Sequence, residues 1–252
     1  MIPRSEVTAW AERFGVTGMQ ITRDHFISHV LAALSDRDAN ARFFGGTALC
    51  RTYLEASRLS EDIDLLHEDP TECFVALTHE LPRALRREFP DAELSSTRPD
   101  GDGLAAEFSA PGVDPIKVYV GHDGVNTRAW EFAATEVTLR YSDLPATKAL
   151  QCPTLAAFGA MKLAAWFDRH APRDLFDLTG LARLGVFADP EVRRIFRAKM
   201  GTGVVAAEFA RVPRTTLDAW ETELNAQVAT LPPAEECLDV VRIAVQGGAL
   251  HG

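Results

Sequence analysis

The chain has 252 residues and a mass of 27.6 kDa, of which 46% are hydrophobic, 25% charged and 8% aromatic. This is globular composition and excludes collagen-like, low-complexity and wholly disordered chains. The 26 Lys and Arg against 36 Asp and Glu give a formal net charge of −10 and a pI near 5.2, which argues against indiscriminate coating of RNA or DNA but leaves room for a local basic patch.

The length allows one large domain or two small ones, with a core that needs neither disulfides nor structural metal. Cys50, Cys73, Cys152 and Cys237 are far apart and form no C-x-x-C pair, so they read as reduced core thiols. No apolar run approaches the ~20 residues of a membrane span. The start, Met1 to Glu6, lacks the basic and apolar regions of a signal peptide, so a cytoplasmic protein without membrane attachment is expected.

In chain order, the first 40 residues read as helices, with Phe26, Val30, Leu31 and Leu34 on one face and Asp24, His25 and Ser28 on the other. His25 and His29 stand at i, i+4 and, lacking a third ligand nearby in sequence, read as an exposed helix face. Arg42-Phe43-Phe44 reads as a short strand ended by Gly45-Gly46, after which Thr47 is placed to cap a helix. Ile63, Leu65 and Leu66, interleaved with Asp62 and Asp64, predict a strand. Asp69-Pro70 is an N-cap followed by a first-turn proline, opening a helix to about Glu88. Pro99 to Gly103 is a turn between two strands, and Ile116–Val120 and Glu136–Tyr141 are further strands. After about residue 150 only helices are expected, over Leu155–Phe167, Pro172–Leu184, Pro190–Met200, Thr215–Val228 and Pro233–Gln246. The expected organisation is α+β: a mixed sheet with flanking helices over residues 1–150, then a helical domain over 151–252.

The richest stretch is Gly45-Gly46-Thr47-Ala48-Leu49 followed by Arg58-Leu59-Ser60-Glu61-Asp62-Ile63-Asp64-Leu65. A strand that turns through two glycines into a helix offers unpaired N–H groups and a partial positive charge to a phosphate. Glycine also removes the Cβ atoms that would hold the phosphate off. Asp62 and Asp64 share one face of their strand, with Cα atoms roughly 6.5–7 Å apart, and two such carboxylates repel unless a cation lies between them. A hard ion such as Mg²⁺ suits oxygen ligands and keeps sites for water and phosphate. Each feature has a plainer reading, a turn and a solvated polar edge. Their placement on one strand–helix–strand unit favours nucleotidyl transfer.

A second group is Lys162, then Arg169-His170-Ala171-Pro172-Arg173-Asp174-Leu175-Phe176-Asp177-Leu178. Pro172 starts a helix that places Asp174 and Asp177 on one face. A lysine beside such carboxylates can be aimed at a phosphate. The plainer reading is a helix N-terminus whose acids complement the dipole, with a surface lysine nearby. Arg83, Arg86 and Arg87, and Arg193, Arg194, Arg197 and Lys199, are basic clusters that suit either helix ends or RNA phosphate.

Together these blocks resemble the AbiEii/MenT nucleotidyltransferase toxins, within the DNA polymerase β-like nucleotidyltransferase superfamily. The likeness runs from the N-terminal helices to about Leu184. It implies a toxin of a toxin–antitoxin pair that moves a nucleoside monophosphate from an NTP, in some relatives onto the 3′ end of tRNA, and a separately encoded antitoxin. It implies that Asp62 and Asp64 hold Mg²⁺, that Gly45, Gly46 and Thr47 cradle the triphosphate, and that Lys162 neutralises it. Asp174 and Asp177 would orient Lys162 or accept a proton. Arg58 would contact nucleotide or brace Asp62, and Arg173 could touch phosphate. One departure stands out: many superfamily members carry a third carboxylate on a later central strand, where this chain has Tyr119, and Glu107 substitutes only if its strand neighbours Asp62. Nucleotidylation of a protein or small-molecule hydroxyl, and a non-catalytic NTP-binding module, compete with the tRNA reading.

Overall fold

Alternation of Asp62 and Asp64 with buried Ile63 and Leu65 makes a strand with one apolar and one polar face, and the first half of the chain assembles around it. The structure, a computed structural model, describes residues 2–36, 41–55, 57–204 and 206–249. The chain divides into two units: Met1–Val125 with Ala133–Cys152, and Asn126–Phe132 with Pro153–Gly252.

The first unit opens with helices α1 (Arg4–Phe14) and α2 (Gly18–Ser35). Thr17 and Gln20 form a reciprocal capping box that fixes the start of α2. Strand β1 (Arg42–Phe44) leads into helix α3 (Gly45–Thr52), and β2 (Asp62–His67) returns antiparallel to β1, with Phe44 opposite Asp64. Helix α4 (Pro70–Leu85) starts on Asp69, whose carboxylate accepts the Thr71 and Glu72 N–H groups, and it ends before Glu88. Two short strands, β3 (Glu93–Leu94) and β4 (Arg98–Asp100), both pair antiparallel with β5 (Gly103–Ala110). A hairpin then gives β6 (Val113–His122), which runs parallel to β2, so the sheet order is β1-β2-β6-β5-β3. The intervening α4 and β5 supply the crossover that a parallel pair requires.

One sheet face carries Ile63, Leu65, Phe108, Ile116, Val118 and Val120, all buried. Helices α2 and α4 pack on it, and Phe26 of α2 meets Phe108 at 4.9 Å between ring centroids. The other face presents Asp62 and Asp64 in register with Lys117 and Tyr119.

A second, two-stranded sheet pairs β7 (Phe132–Thr138) with β8 (Thr147–Pro153). The strand expected over Glu136–Tyr141 thus begins earlier and stops at Thr138. The reason is that Leu139, Arg140 and Tyr141 leave the ladder to be buried, and Arg140 takes a left-handed φ of 71° to do so. β8 and β3 carry too little apolar alternation to be read from sequence.

The expected polar face of α2 is a correction: Asp24, His25 and Ser28 are all buried. Asp24 is enclosed because two cations and a phenol converge on it. Arg51 donates to its Oδ1 at 2.8 Å, Arg140 at 3.0 Å, and the Tyr141 hydroxyl to Oδ2 at 2.7 Å. Burial alone would raise the Asp24 carboxyl, yet Arg51 and Arg140 outweigh it and hold the group below the ordinary carboxylate range. Burial and the neighbouring Arg140 pull Arg51 down to about 10.

The second unit contains α5 (Leu155–Arg169), α6 (Pro172–Arg183), α7 (Pro190–Met200), α8 (Arg214–Leu224) and α9 (Ala234–Ala249), near the expected bounds. Thr154 caps α5 and Asp189 caps α7. Helix α6 lies against α5, α8 and α9, burying Leu175, Leu178 and Leu181. The four cysteines are buried thiols outside any disulfide. Among the described residues no helix is long and apolar enough to cross a membrane.

Asp24→Ala leaves Arg51 and Arg140 buried without their counter-charge, and breaking a buried pair in this way costs about 3–5 kcal/mol. Urea unfolding should show the midpoint of the first unit falling accordingly; an unchanged midpoint would mean that the network contributes nothing to stability.

Candidate active site

The Gly-Gly turn is dictated by what lies against it. Gly45 has a left-handed φ of +78°, and a Cβ there would fall 2.1 Å from Asp64 Oδ2. The carboxylate of Asp64 is therefore seated on the bare backbone of Gly45. Gly46 serves Arg58 in the same way, since its Cβ would lie 2.8 Å from Arg58 Nη2 and 3.4 Å from Ser60 Oγ. Arg58 is itself buried and donates to the Leu59 carbonyl at 3.0 Å.

Thr47 differs from expectation. Helix α3 begins at Gly45 with Phe44 at the N-cap, so Thr47 lies inside the first turn and caps nothing. Its hydroxyl donates to the Asp62 carbonyl and lies 2.8 Å from Ser60 Oγ, tying the helix to the head of β2. Phe44 has no side chain that could cap, so the first-turn N–H groups of α3 receive no side-chain partner from it.

Asp62 and Asp64 are half-buried neighbours on one face of β2. The adjoining strand is β6, which places Lys117 beside Asp62 and Tyr119 beside Asp64. Glu107 is opposite Lys117 on β5, one strand further out, so it does not neighbour Asp62 and does not replace a third carboxylate. The strand position in register with Asp64 is Tyr119, whose hydroxyl donates to Asp102 Oδ1 at 2.8 Å. Burial, that hydrogen bond and the charges of Asp102, Asp100 and Asp64 raise the phenol well above its ordinary value, so it stays protonated. Asp102, which the sequence marks only as a turn residue, thus reaches the polar face through Tyr119. Lys117 pairs with Asp100 at 2.7 Å, another contact with no signal beyond the turn composition.

In the second unit, Lys162 of α5 reaches two carboxylates of α6: Asp174 Oδ1 at 3.1 Å and Asp177 Oδ2 at 2.7 Å. Both aspartates are 0% exposed and Lys162 is 8% exposed, so Lys162 is not the surface lysine of the plainer reading, although Asp174 does lie in the first turn of α6. Arg169, which belongs to the second group in sequence but had no role assigned, completes it by donating to both oxygens of Asp174, at 2.7 and 3.1 Å. Burial pushes the Asp174 carboxyl up, but Lys162 and Arg169 hold it below its ordinary value of 3.8. A carboxylate so engaged is suited to orient Lys162 and unsuited to accept a proton. Arg173 pairs with Glu223 of α8 at 3.6 Å. In α7, Arg194 pairs with Glu191 and Glu131, and Lys199 donates to the Asn126 carbonyl.

Residues 29–240 match the model of the AbiEii family, described as nucleotidyl transferase AbiEii toxin of a type IV toxin–antitoxin system. The chain belongs to this family. It is a nucleotidyltransferase toxin, and membership implies an NTP substrate and a cognate antitoxin. Among solved structures it is similar to MenT4, a nucleotidyltransferase toxin from Mycobacterium tuberculosis H37Rv, with a TM-score of 0.74 and 18% identity over 99% of this chain and 90% of that one. At that identity the likeness shows a shared fold. A nucleotidyltransferase-like antigenic protein from Paracoccidioides brasiliensis aligns at a TM-score of 0.42 and 15% identity, over 75% of this chain and 98% of that one. No curated protein sequence matches the chain.

Gly45→Ala forces an alanine into a left-handed conformation, at about 1–2 kcal/mol, and drives the Asp64 carboxylate from its seat. Gly46→Ala meets the end of the Arg58 side chain and, at 3.4 Å, Ser60 Oγ; with no left-handed φ to strain it should cost less, a difference that thermal melts of the two variants would show. For Asp174, the folded-state carboxyl is depressed, so its contribution to stability is complete above about pH 3.8 and is lost as pH falls through its folded value. The stability gap between wild type and Asp174→Asn should therefore be full at neutral pH and close in acid; a gap that widens in acid would contradict the ion pairs.

Proposed function

We propose that the protein transfers a nucleoside monophosphate from an NTP to the 3′ end of tRNA in a Mg²⁺-dependent reaction, blocking translation in the cytoplasm until its antitoxin neutralises it. The observation that carries this reading is the seating of Asp64 on Gly45, which brings an acidic strand face against the N-terminus of α3.

Asp62 and Asp64 offer carboxylate oxygens, the donors a hard dication prefers, and the missing Cβ at Gly45 keeps Asp64 in place for it. These two residues would hold Mg²⁺, which supplies charge neutralisation on the phosphates. The N–H groups of Gly45, Gly46 and Thr47, together with the helix dipole, suit the triphosphate. Thr47 would act through its backbone, because its hydroxyl is committed to Asp62. Arg58, packed under Gly46, adds positive charge and braces the turn.

Lys162 would neutralise the developing phosphate charge, held in position by Asp174 and Asp177. On this reading both units are required for transfer. In the step itself, the acceptor hydroxyl attacks the α-phosphorus, the bond between the α- and β-phosphates breaks, and pyrophosphate leaves with the charge. The hydroxyl proton passes to solvent; Tyr119, already protonated, does not take it. The tRNA acceptor rests on the family resemblance, and the exposed Arg83, Arg86 and Arg87 near the end of α4 are suited to its backbone.

Label transfer tests the whole reading: protein, Mg²⁺, total tRNA and each α-phosphate-labelled NTP in turn. Labelled tRNA is expected with one or two NTPs and is abolished by EDTA. Label should fall by about 10²–10³-fold in Asp62→Asn, Asp64→Asn and Lys162→Met. Label in a protein or small-molecule hydroxyl instead would replace tRNA as the acceptor, and NTP binding without transfer to any acceptor would make the chain a binding module.

A further inference from the structure

His25 and His29 are not the exposed helix face that their spacing alone suggests. Standing at i, i+4 on α2, they turn inward together, His25 buried and His29 half-buried. The segment after β7 brings Asp143 to them from more than a hundred residues away, which is why no sequence window shows a third ligand. Their donor atoms form a compact triangle: His25 Nε2 lies 3.0 Å from His29 Nε2 and 2.9 Å from Asp143 Oδ2, and His29 Nε2 lies 3.3 Å from the same oxygen.

Hydrogen bonds alone serve this triangle poorly. If both imidazoles carry a proton on Nε2 to reach Asp143, two N–H groups oppose each other at 3.0 Å. If only one does, a single proton must serve two acceptors. A dication at the centre removes the conflict, because all three atoms then present lone pairs to it. Tetrahedral Zn²⁺ with ligand bonds of about 2.0–2.2 Å sets its donors roughly 3.3 Å apart, close to the spacing found here.

The ligands are also held in advance. The His25 ring stands edge-on to Tyr141 at 4.9 Å and to His29 at 4.6 Å, and Phe89 lies 5.4 Å from the His29 ring. The Asp143 side chain is 27% exposed, which leaves a path for the ion and for water as a further ligand. The nearby Glu88 adds negative charge around His29.

We propose that His25, His29 and Asp143 form a site for one borderline divalent transition metal, of which Zn²⁺ is the representative, that fastens the segment after β7 onto α2. Imidazole donors set this site apart from the all-carboxylate pair on β2. That pair also occupies the sheet face opposite to the one on which α2 packs. The clamped segment includes Arg140 and Tyr141, both bound to Asp24, so the ion would reinforce the strut that already holds Arg51 of α3.

The test is zinc stoichiometry of the full chain by elemental analysis after dialysis against micromolar Zn²⁺, for wild type, His29→Gln, Asp143→Asn and the double variant Asp62→Asn/Asp64→Asn. The site predicts that one equivalent is lost in both of the first two variants and retained in the double variant. Wild type loaded with Co²⁺ should show the visible absorption of a tetrahedral ion, absent in His29→Gln. Circular dichroism guards against misfolding, and the substitutions preserve side-chain size at partly exposed positions. Equal zinc content in wild type, His29→Gln and Asp143→Asn, or none in any, overturns the proposal and leaves the triangle as a hydrogen-bonded cluster.

Discussion

Helix α3 is fixed at both ends by polar side chains with no water to turn to. In its first turn the Thr47 hydroxyl holds the carbonyl of Asp62, and in its last the Arg51 guanidinium is buried against Asp24 of α2. An eight-residue helix is marginal alone, because nucleation costs more than so few backbone bonds return. Those two tethers fix where its first turn points, and the first turn is the surface that meets Asp64. The same logic explains the first glycine: once α3 and β2 are fixed so closely, a Cβ at Gly45 has no room beside Asp64. The Gly-Gly-Thr sequence is thus a packing requirement of the strand–helix–strand unit before it is a binding motif.

The two acidic groups of the protein are handled in opposite ways. Asp174 and Asp177 are fully buried and matched by Lys162 and Arg169, so two negative charges meet two positive ones inside the second unit. Buried carboxylates tolerate this only because each oxygen finds a donor. Asp62 and Asp64 remain half-buried at the polar face of a sheet whose other face is core. Partial burial keeps the pair fixed by its strand while leaving it in contact with solvent. A rigid backbone under a partly solvated charge is what preorganised catalysis by metal and phosphate asks of a scaffold.

Much of this was legible in the sequence because it depends on local chemistry. Alternation located β2, caps and first-turn prolines located α4, α6 and α7, and the Asp174–Asp177 spacing placed two acids on one helical face. What escaped was non-local. Asp24 and His25 looked like the solvent side of an amphipathic helix, and only the distant Arg140, Tyr141 and Asp143 make that side interior. Arg169 was invisible as a partner because its role depends on the turn through His170 into α6. Thr47 is a good cap by type, yet α3 starts three residues before the position such a cap would give it, because the Thr47 hydroxyl is needed for Asp62.

Tyr119 shows how the same strand position can carry different chemistry. In register with Asp64, a third carboxylate would add its charge directly to the acidic pair. A tyrosine there is neutral, and its hydroxyl hands a hydrogen bond to Asp102. The negative charge is thereby moved outward by the length of a phenol ring, from the sheet to the turn between β4 and β5. Because burial and the surrounding aspartates keep that phenol protonated, it works as a spacer with a fixed donor. The acidic pair on β2 is then flanked on β6 by Lys117 and by a neutral Tyr119. The proposed reaction must draw its power from positioning and charge neutralisation, with general-base catalysis contributing nothing from this strand.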